Sequence, residues 1–253
     1  MRSFFVILLM CVAVLAAASQ LEAQAGPKFA DSDPVDFKPY TPQRFPVHGI
    51  DVSRFQGDIS WKIVRGAGIE FAFIKATEGG DLLDPKFKEN WRAAGKAGVR
   101  RGAYHFYYFC TDARTQAKWF IKNVPRTKGA LPPVLDMEWN PFSPTCTKRP
   151  PPETVRAEMT RFLNRVERRY GQRPIIYTTP DFYERNDLGR MRGEEFWLRA
   201  VAKVPDQVYP GQPWRFWQYS GTGILPGVAG DVDLNAFGGS MQDWATWLAQ
   251  RVR

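Results

Sequence analysis

Histidine and cysteine are scarce in this chain, which contains two histidines and three cysteines among 253 residues. Neither His48 nor His105 has histidine or cysteine neighbours at a spacing typical of a zinc site. The sequence therefore predicts no metal site, and we expect no other cofactor.

Recognisable nucleic-acid-binding motifs are also lacking, although the formal net charge is +9. The lysines and arginines are scattered along the sequence rather than clustered. A basic surface favours anionic partners such as acidic cell-wall polymers, and a surface that only keeps the protein soluble is an equally good interpretation. We predict no binding to nucleic acid.

Long apolar runs are limited to one segment at the N-terminus. Arg2 precedes an apolar run over residues 4–18, and Ala23-Gln24-Ala25 provides a small-x-small cleavage site. This order is typical of a secretory signal peptide over residues 1–25, with an uncleaved anchor as the alternative. We therefore predict a secreted or periplasmic protein without stable membrane insertion. Residues 26–46, which contain five prolines, are predicted to be a flexible or extended leader.

Cys11 lies in the apolar run, so Cys110 and Cys146 remain as an even pair. In an oxidising compartment, a disulfide between them is the economical interpretation, and two free thiols are the alternative.

From His48 onward, strand and helix patterns alternate in a single predicted domain over residues 47–253. Helices are predicted before residue 66 and over 85–98, 112–124 and 152–170. Predicted strands cover residues 48–53, 69–76, 99–107, the segment around Asp136, 174–178, 196–201, 215–219 and 232–237. Eight strands in nearly regular alternation indicate an α/β fold of the TIM-like barrel type, and the last third, poor in helix, indicates an irregular one.

Asp136 and Glu138 close the apolar run of residues 131–135. Side chains two apart on a strand share a face, so these carboxylates are expected side by side at a strand end. Two adjacent carboxylates do not both ionise easily, and one pKa is expected to rise, which is the arrangement that glycoside hydrolysis needs. An acidic strand end that is merely solvated, or that caps the next helix, is the alternative.

Other polar residues also fall at or near predicted strand ends, where TIM-like barrels carry their active sites. These residues include Asp51, the segment 75–78, Tyr104, Tyr177 and Asp233. Their convergence is a stronger indication of an active site than any one motif.

Six motifs in this order resemble those of the GH25 lysozymes, the Chalaropsis-type N-acetylmuramidases. They occupy residues 49–57, 74–79, 104–106, 133–138, 217–220 and 232–235. The resemblance implies a modified (β/α)5(β)3 barrel that cleaves the β-1,4 bond between N-acetylmuramic acid and N-acetylglucosamine in peptidoglycan, with retained configuration. Phe55 stands where the family often has tryptophan.

The resemblance also implies roles for four acidic residues. Glu138 matches the general acid. Asp136 matches the second carboxylate, which assists the substrate's 2-acetamido group or stabilises the cationic transition state; a protein carboxylate acting as nucleophile is the competing route. Asp51 and Asp233 match acidic residues that position the substrate and give electrostatic support, with loop-holding hydrogen bonds as the alternative role.

Several further residues are candidates for substrate binding. Tyr177 matches a strand-end tyrosine and is a candidate to hydrogen-bond the acetamido group, with a buried core tyrosine as the alternative. Glu78 binds substrate or pairs with Lys75. Gln218 and the aromatic residues Tyr104, Phe106 and Trp217 are candidates for the cleft floor, with core packing as the alternative for the aromatics. We expect a monomer with peptidoglycan glycan strands as its partner. The competing functions are a glycan-binding barrel without activity and a different hydrolase.

Overall fold

The computed structural model describes residues 28–252. The predicted signal peptide therefore lies outside the described residues. Within the described range, no helix combines the length and apolar character needed to cross a membrane.

Eight strands close into a barrel, and two short strands, β1 (Ala30–Asp31) and β4 (Leu82–Leu83), pair with the C-terminal ends of two barrel strands. The barrel strands are β2 (His48–Val52), β3 (Ile69–Glu78), β5 (Arg100–Phe106), β6 (Val134–Met137), β7 (Ile175–Thr178), β8 (Phe196–Arg199), β9 (Phe216–Ile224) and β10 (Val232–Phe237). Neighbours from β2 to β9 run parallel, whereas β10 is antiparallel to both β9 and β2. The predicted fold class is confirmed.

A helix follows each of the first five barrel strands, whereas the last three strands have one short helix among them and the C-terminal helix after them. The helices are α1 (Trp61–Gly66), α2 (Phe87–Lys96), α3 (Ala113–Asn123), α4 (Pro152–Tyr170), α5 (Pro180–Arg185), α6 (Pro205–Val208) and the C-terminal α7 (Met241–Arg251). Single 3-10 turns cover Pro42–Arg44, Arg54–Gln56 and Leu188–Arg190. Asp112 begins α3 as a cap, because its carboxylate accepts from the backbone N–H groups of Arg114 and Thr115. Only α6, four residues long, separates β8 from β9, so the last third has little helix, as predicted.

Aromatic side chains fill the barrel interior. Phe73 and Trp197 pack with ring centroids 4.6 Å apart, and Phe71 lies 5.1 Å from Phe216. Gly49 makes room for this layer, since a Cβ there would lie 2.4 Å from the ring of Phe71. Below them, the C-terminal helix places Trp244 and Trp247 against the same cluster. The interior is therefore a packed core, and it leaves space for a site at the opposite rim.

The described part of the predicted leader packs on the barrel. Strand β1 pairs with the far end of β9. Phe37 is buried, with its ring 5.0 Å from that of Trp217 in an edge-on contact. Residues 28–46 thus cover the outer face of β9. The boundary drawn between residues 46 and 47 stays a prediction.

Candidate active site

The C-terminal rim of the parallel strands carries a cleft of about 310 Å³. Along each strand, alternate side chains point into the barrel, so polar residues above the aromatic layer meet at this rim. Eight predicted site residues line the cleft: Asp51, Tyr104, Phe106, Asp136, Glu138, Tyr177, Gln218 and Asp233.

Asp136 and Glu138 stand at the end of β6, as the two-residue spacing predicts. Asp136 is 5% exposed, and burial together with the charge of Glu138 holds the pKa of Asp136 well above its usual range. Within residues 28–252, its Oδ1 atom has no hydrogen-bond partner. Burial also raises the pKa of Glu138 to about 7, although Arg199 and Lys75 act in the opposite direction. Burial, more than repulsion from Asp136, thus prepares Glu138 to hold a proton.

Asp51 and Asp233 face each other across the β2–β10 pairing. Because β10 runs antiparallel, Asp233 lies near the start of its strand and still reaches the same rim. Burial raises the pKa of Asp51 to about 6, and burial and the charge of Asp51 raise that of Asp233 to about 8. The higher pKa of Asp233 favours the proton on Asp233 and the negative charge on Asp51.

A chain of hydrogen bonds fixes the floor around Asp51. The Tyr177 hydroxyl donates to Gln218 Oε1 at 2.9 Å, and Gln218 Nε2 donates to Asp51 Oδ2 at 2.9 Å. From the other side, Asn235 Nδ2 donates to the same Asp51 oxygen at 2.8 Å. Trp197 Nε1 in turn donates to Asn235 Oδ1 at 2.7 Å. Because its hydrogen is used by Gln218, the Tyr177 oxygen is left as an acceptor.

Two predicted substrate-binding residues are placed elsewhere. Glu78 forms an ion pair with Lys75, Nζ to Oε2 2.6 Å, accepts from Tyr108, and does not line the cleft. Trp217 is fully buried against the leader, and its Nε1 donates to the Ala200 carbonyl at 2.7 Å. The structure therefore supports the ion-pair interpretation for Glu78 and the core interpretation for Trp217.

Arg199, at the end of β8, lines the cleft, although the sequence did not predict it as a site residue. Its guanidinium makes no hydrogen bond or ion pair with another side chain among the described residues, and its charge lowers the pKa of Asp51, Glu138 and Asp233. Arg199 is two residues beyond Trp197 and therefore shares its inward face, but the inward position of Trp197 is known only from the structure. Phe55, 75% exposed, stands at the mouth of the same cleft.

Replacing Arg199 by glutamine is expected to move the basic limb of the kcat/KM profile to higher pH. In the predicted acid role, Glu138 must be protonated, so activity is expected to fall as pH rises through its pKa. Removing the guanidinium removes an influence that lowers this pKa. Rate profiles of the variant against pH measure the shift. Arg192→Gln, which removes an exposed guanidinium outside the cleft lining, is expected to leave the limb in place. A basic limb that stays in place or moves to lower pH in Arg199→Gln would contradict this account.

The structure contains the disulfide between Cys110 and Cys146, with Cα atoms 5.7 Å apart. It joins the loop after β5 to the loop after β6, which begins at Glu138. The two cysteines are 36 positions apart in the sequence, and closing a loop of this length is worth about 3–4 kcal/mol on the chain-entropy model. The crosslink therefore holds both loops at the catalytic rim.

The model of the family described as glycosyl hydrolases family 25 matches residues 50–228 of this chain. The chain belongs to that family. It is similar to lysozyme M1 of Streptomyces globisporus, 40% identical over 207 residues that span 77% of this chain and 68% of the relative. It is also similar to the N,O-diacetylmuramidase of Chalaropsis sp., 31% identical over 206 residues that span 77% and 92% of the two chains.

Among solved structures, a family 25 glycosyl hydrolase from Bacillus anthracis superposes with a TM-score of 0.73 at 32% identity. The match covers 86% of this chain and 97% of the other. The resemblance to the GH25 lysozymes is confirmed, and the protein is a glycoside hydrolase.

Within residues 28–252, no group of three or more histidine, cysteine, aspartate or glutamate side chains has the geometry to hold a metal ion.

Proposed function

We propose that this family 25 lysozyme, a peptidoglycan hydrolase, cleaves the β-1,4 bond between N-acetylmuramic acid and N-acetylglucosamine with retained configuration. The observation that carries the proposal is the pair of carboxyl groups at the end of β6, inside a cleft where burial raises the pKa of both. A barrel that only binds glycan would not need this pair, nor the second acidic pair formed by Asp51 and Asp233.

Glu138 is the general acid of the proposed mechanism. A pKa of about 7 keeps much of it protonated near neutral pH while leaving it acidic enough to give up the proton. It is also the more accessible member of the pair, because it follows the last residue of β6 and is only partly buried. From that position it protonates the oxygen of the leaving sugar.

Asp136 assists the 2-acetamido group of the sugar on the other side of the bond. Its unpartnered Oδ1 is a free acceptor for the acetamido N–H. A hydrogen bond to the carboxylate favours its anionic form, so substrate binding leaves the proton of the pair on Glu138. The acetamido carbonyl oxygen, oriented in this way, attacks the anomeric carbon, and water then opens the cyclic intermediate.

The Asp51–Asp233 pair supports the positive charge that develops at the anomeric carbon. Asp51 is held as an anion by amide donors from Gln218 and Asn235, so its position changes little during the reaction. The Tyr177 oxygen accepts a hydrogen bond from the substrate, and Tyr104 and Phe106 offer ring faces to the sugars.

Product analysis of digested peptidoglycan tests this function. Reduction with borohydride is expected to convert muramic acid at the new reducing ends to its alditol. Proton NMR of a soluble glycan digest is expected to show the β anomer first, because two displacements restore configuration. Reduced glucosamine ends would exclude a muramidase. An α anomer would exclude the double-displacement route while leaving the bond assignment intact.

The proposed site of action is outside the cytoplasm, in the periplasm or beyond the cell, and the proposed state is a monomer without a cofactor. Localisation rests on the signal-peptide pattern over residues 1–25. Intact mass of the purified mature protein tests it, with cleavage after Ala25 as the expected result.

A further inference from the structure

Two adjoining cavities of about 260 and 460 Å³ lie away from the catalytic cleft. They share Trp91, Val124 and Pro125, and we call them together the basic groove. One of them is also lined by Leu131 and Pro133, which immediately precede β6. The groove is therefore at the N-terminal end of the strands, whereas the catalytic cleft is at the C-terminal end.

Six cations and no acidic residue line the basic groove. They are Lys88, Arg92, Lys122, Arg126, Lys128 and Arg169. All six are exposed, and none forms an ion pair with any other residue between 28 and 252. Lysines and arginines that are scattered in sequence are thus gathered by the fold.

Helix dipoles explain only part of this cluster. Lys122 and Arg169 lie in the last turns of α3 and α4, where a cation stabilises the helix. Lys88 is in the first turn of α2, where the dipole disfavours a cation, and Arg126 and Lys128 are in the loop that follows α3. Like charges held together without counterions cost stability, which favours an anionic ligand as the reason for them.

The floor of the groove limits the kind of anion. Phe87 and Trp91 are 1% and 6% exposed, so no ring there is free to stack on a nucleobase. None of the large exposed hydrophobic side chains in the described range lines the groove, and its surface is concave, so it does not suit insertion into a bilayer. The concave basic groove therefore suits a flexible chain that carries repeated negative charges.

We propose that the basic groove binds a phosphodiester polymer of the polyol-phosphate type. Phosphates spaced along a flexible chain meet the cations on the rim, while the carbon backbone lies over the apolar floor. Because the catalytic cleft is at the other end of the barrel, the polymer and a glycan strand occupy the protein together. Binding of this kind holds the enzyme on walls that carry both polymers.

A charge-reversal pair tests the proposal. Arg126→Glu combined with Lys128→Glu changes two exposed side chains in the loop that follows α3. The control combines Lys62→Glu with Lys203→Glu, two exposed lysines outside the groove, and changes net charge equally. The probe is purified poly(glycerol phosphate), with affinity measured by calorimetry at low and physiological salt.

The groove variant is expected to bind the polymer at least about tenfold more weakly than the control does, with the difference reduced by salt. Both variants are expected to retain their melting temperature and their turnover of a soluble muramyl oligosaccharide. Equal weakening in both variants would show that only net charge matters and would overturn the proposal. Tighter groove-dependent binding to single-stranded DNA or to anionic vesicles would also overturn it. Polymer binding is read without hydrolysis, so this result is independent of the catalytic assignment.

Discussion

Replacing Glu138 by glutamine is expected to lower kcat by about 10²–10⁴-fold while the fold and glycan affinity are retained. Glutamine has nearly the same shape, but it has no proton to give to the leaving oxygen. Burial raises the pKa of Glu138 to about 7 in the enzyme, so the protonated form that glutamine replaces is well populated near neutral pH. The loss of kcat therefore measures the removal of the transferable proton rather than a disturbance of the cleft.

Two comparisons make the Glu138→Gln experiment specific. Glu184→Gln, an exposed residue of α5, is expected to keep wild-type turnover. A dinitrophenolate leaving group departs without protonation. With a substrate that carries this group, the loss of kcat in Glu138→Gln is therefore expected to be much smaller. Melting temperature and affinity for an uncleaved oligosaccharide show whether the protein is intact. An equal loss with both leaving groups would remove Glu138 from the role of acid.

The sequence predicted the acidic pair because the argument is local. Residues 136 and 138 are two apart on one strand, and no tertiary information is needed to place them on one face. The same rule shows why Trp217 and Gln218, both candidates for the cleft floor, do not both line it. Adjacent strand residues point to opposite faces, and with Gln218 in the cleft, Trp217 packs under the leader.

Other features depend on contacts between distant segments. The pairing of β3 with β5 has an irregularity between Lys75 and Thr77, so alternation cannot be counted from Lys75 to Glu78. The reversed direction of β10, which places Asp233 at the start of its strand, depends on pairing with β9 and β2. Phe37 is likewise buried against Trp217, 180 positions further along the chain, a contact that composition alone does not reveal.

Replacing Asp136 by asparagine is expected to lower kcat by about 10²–10³-fold, the usual loss for one preorganised electrostatic contact at a reacting group. If Asp136 acts through the acetamido group, its effect requires that group. On a substrate whose 2-acetamido group is replaced by hydroxyl, the wild-type enzyme is expected to lose most of its turnover. Asp136→Asn is then expected to add little, because both changes remove the same interaction.

Asp233→Asn provides the matched control for this double comparison. Asp233 lines the same cleft and lies opposite Asp51 in the β2–β10 pairing, so its replacement affects electrostatic support without touching the acetamido contact. The loss of kcat in Asp233→Asn is expected to be similar on both substrates, whereas the loss of kcat in Asp136→Asn is expected on the acetamido substrate only. Undiminished wild-type cleavage of the hydroxyl substrate, with a full loss in Asp136→Asn, would instead make a protein carboxylate the nucleophile. Because a retained product is common to both routes, this comparison and not the stereochemistry decides between them.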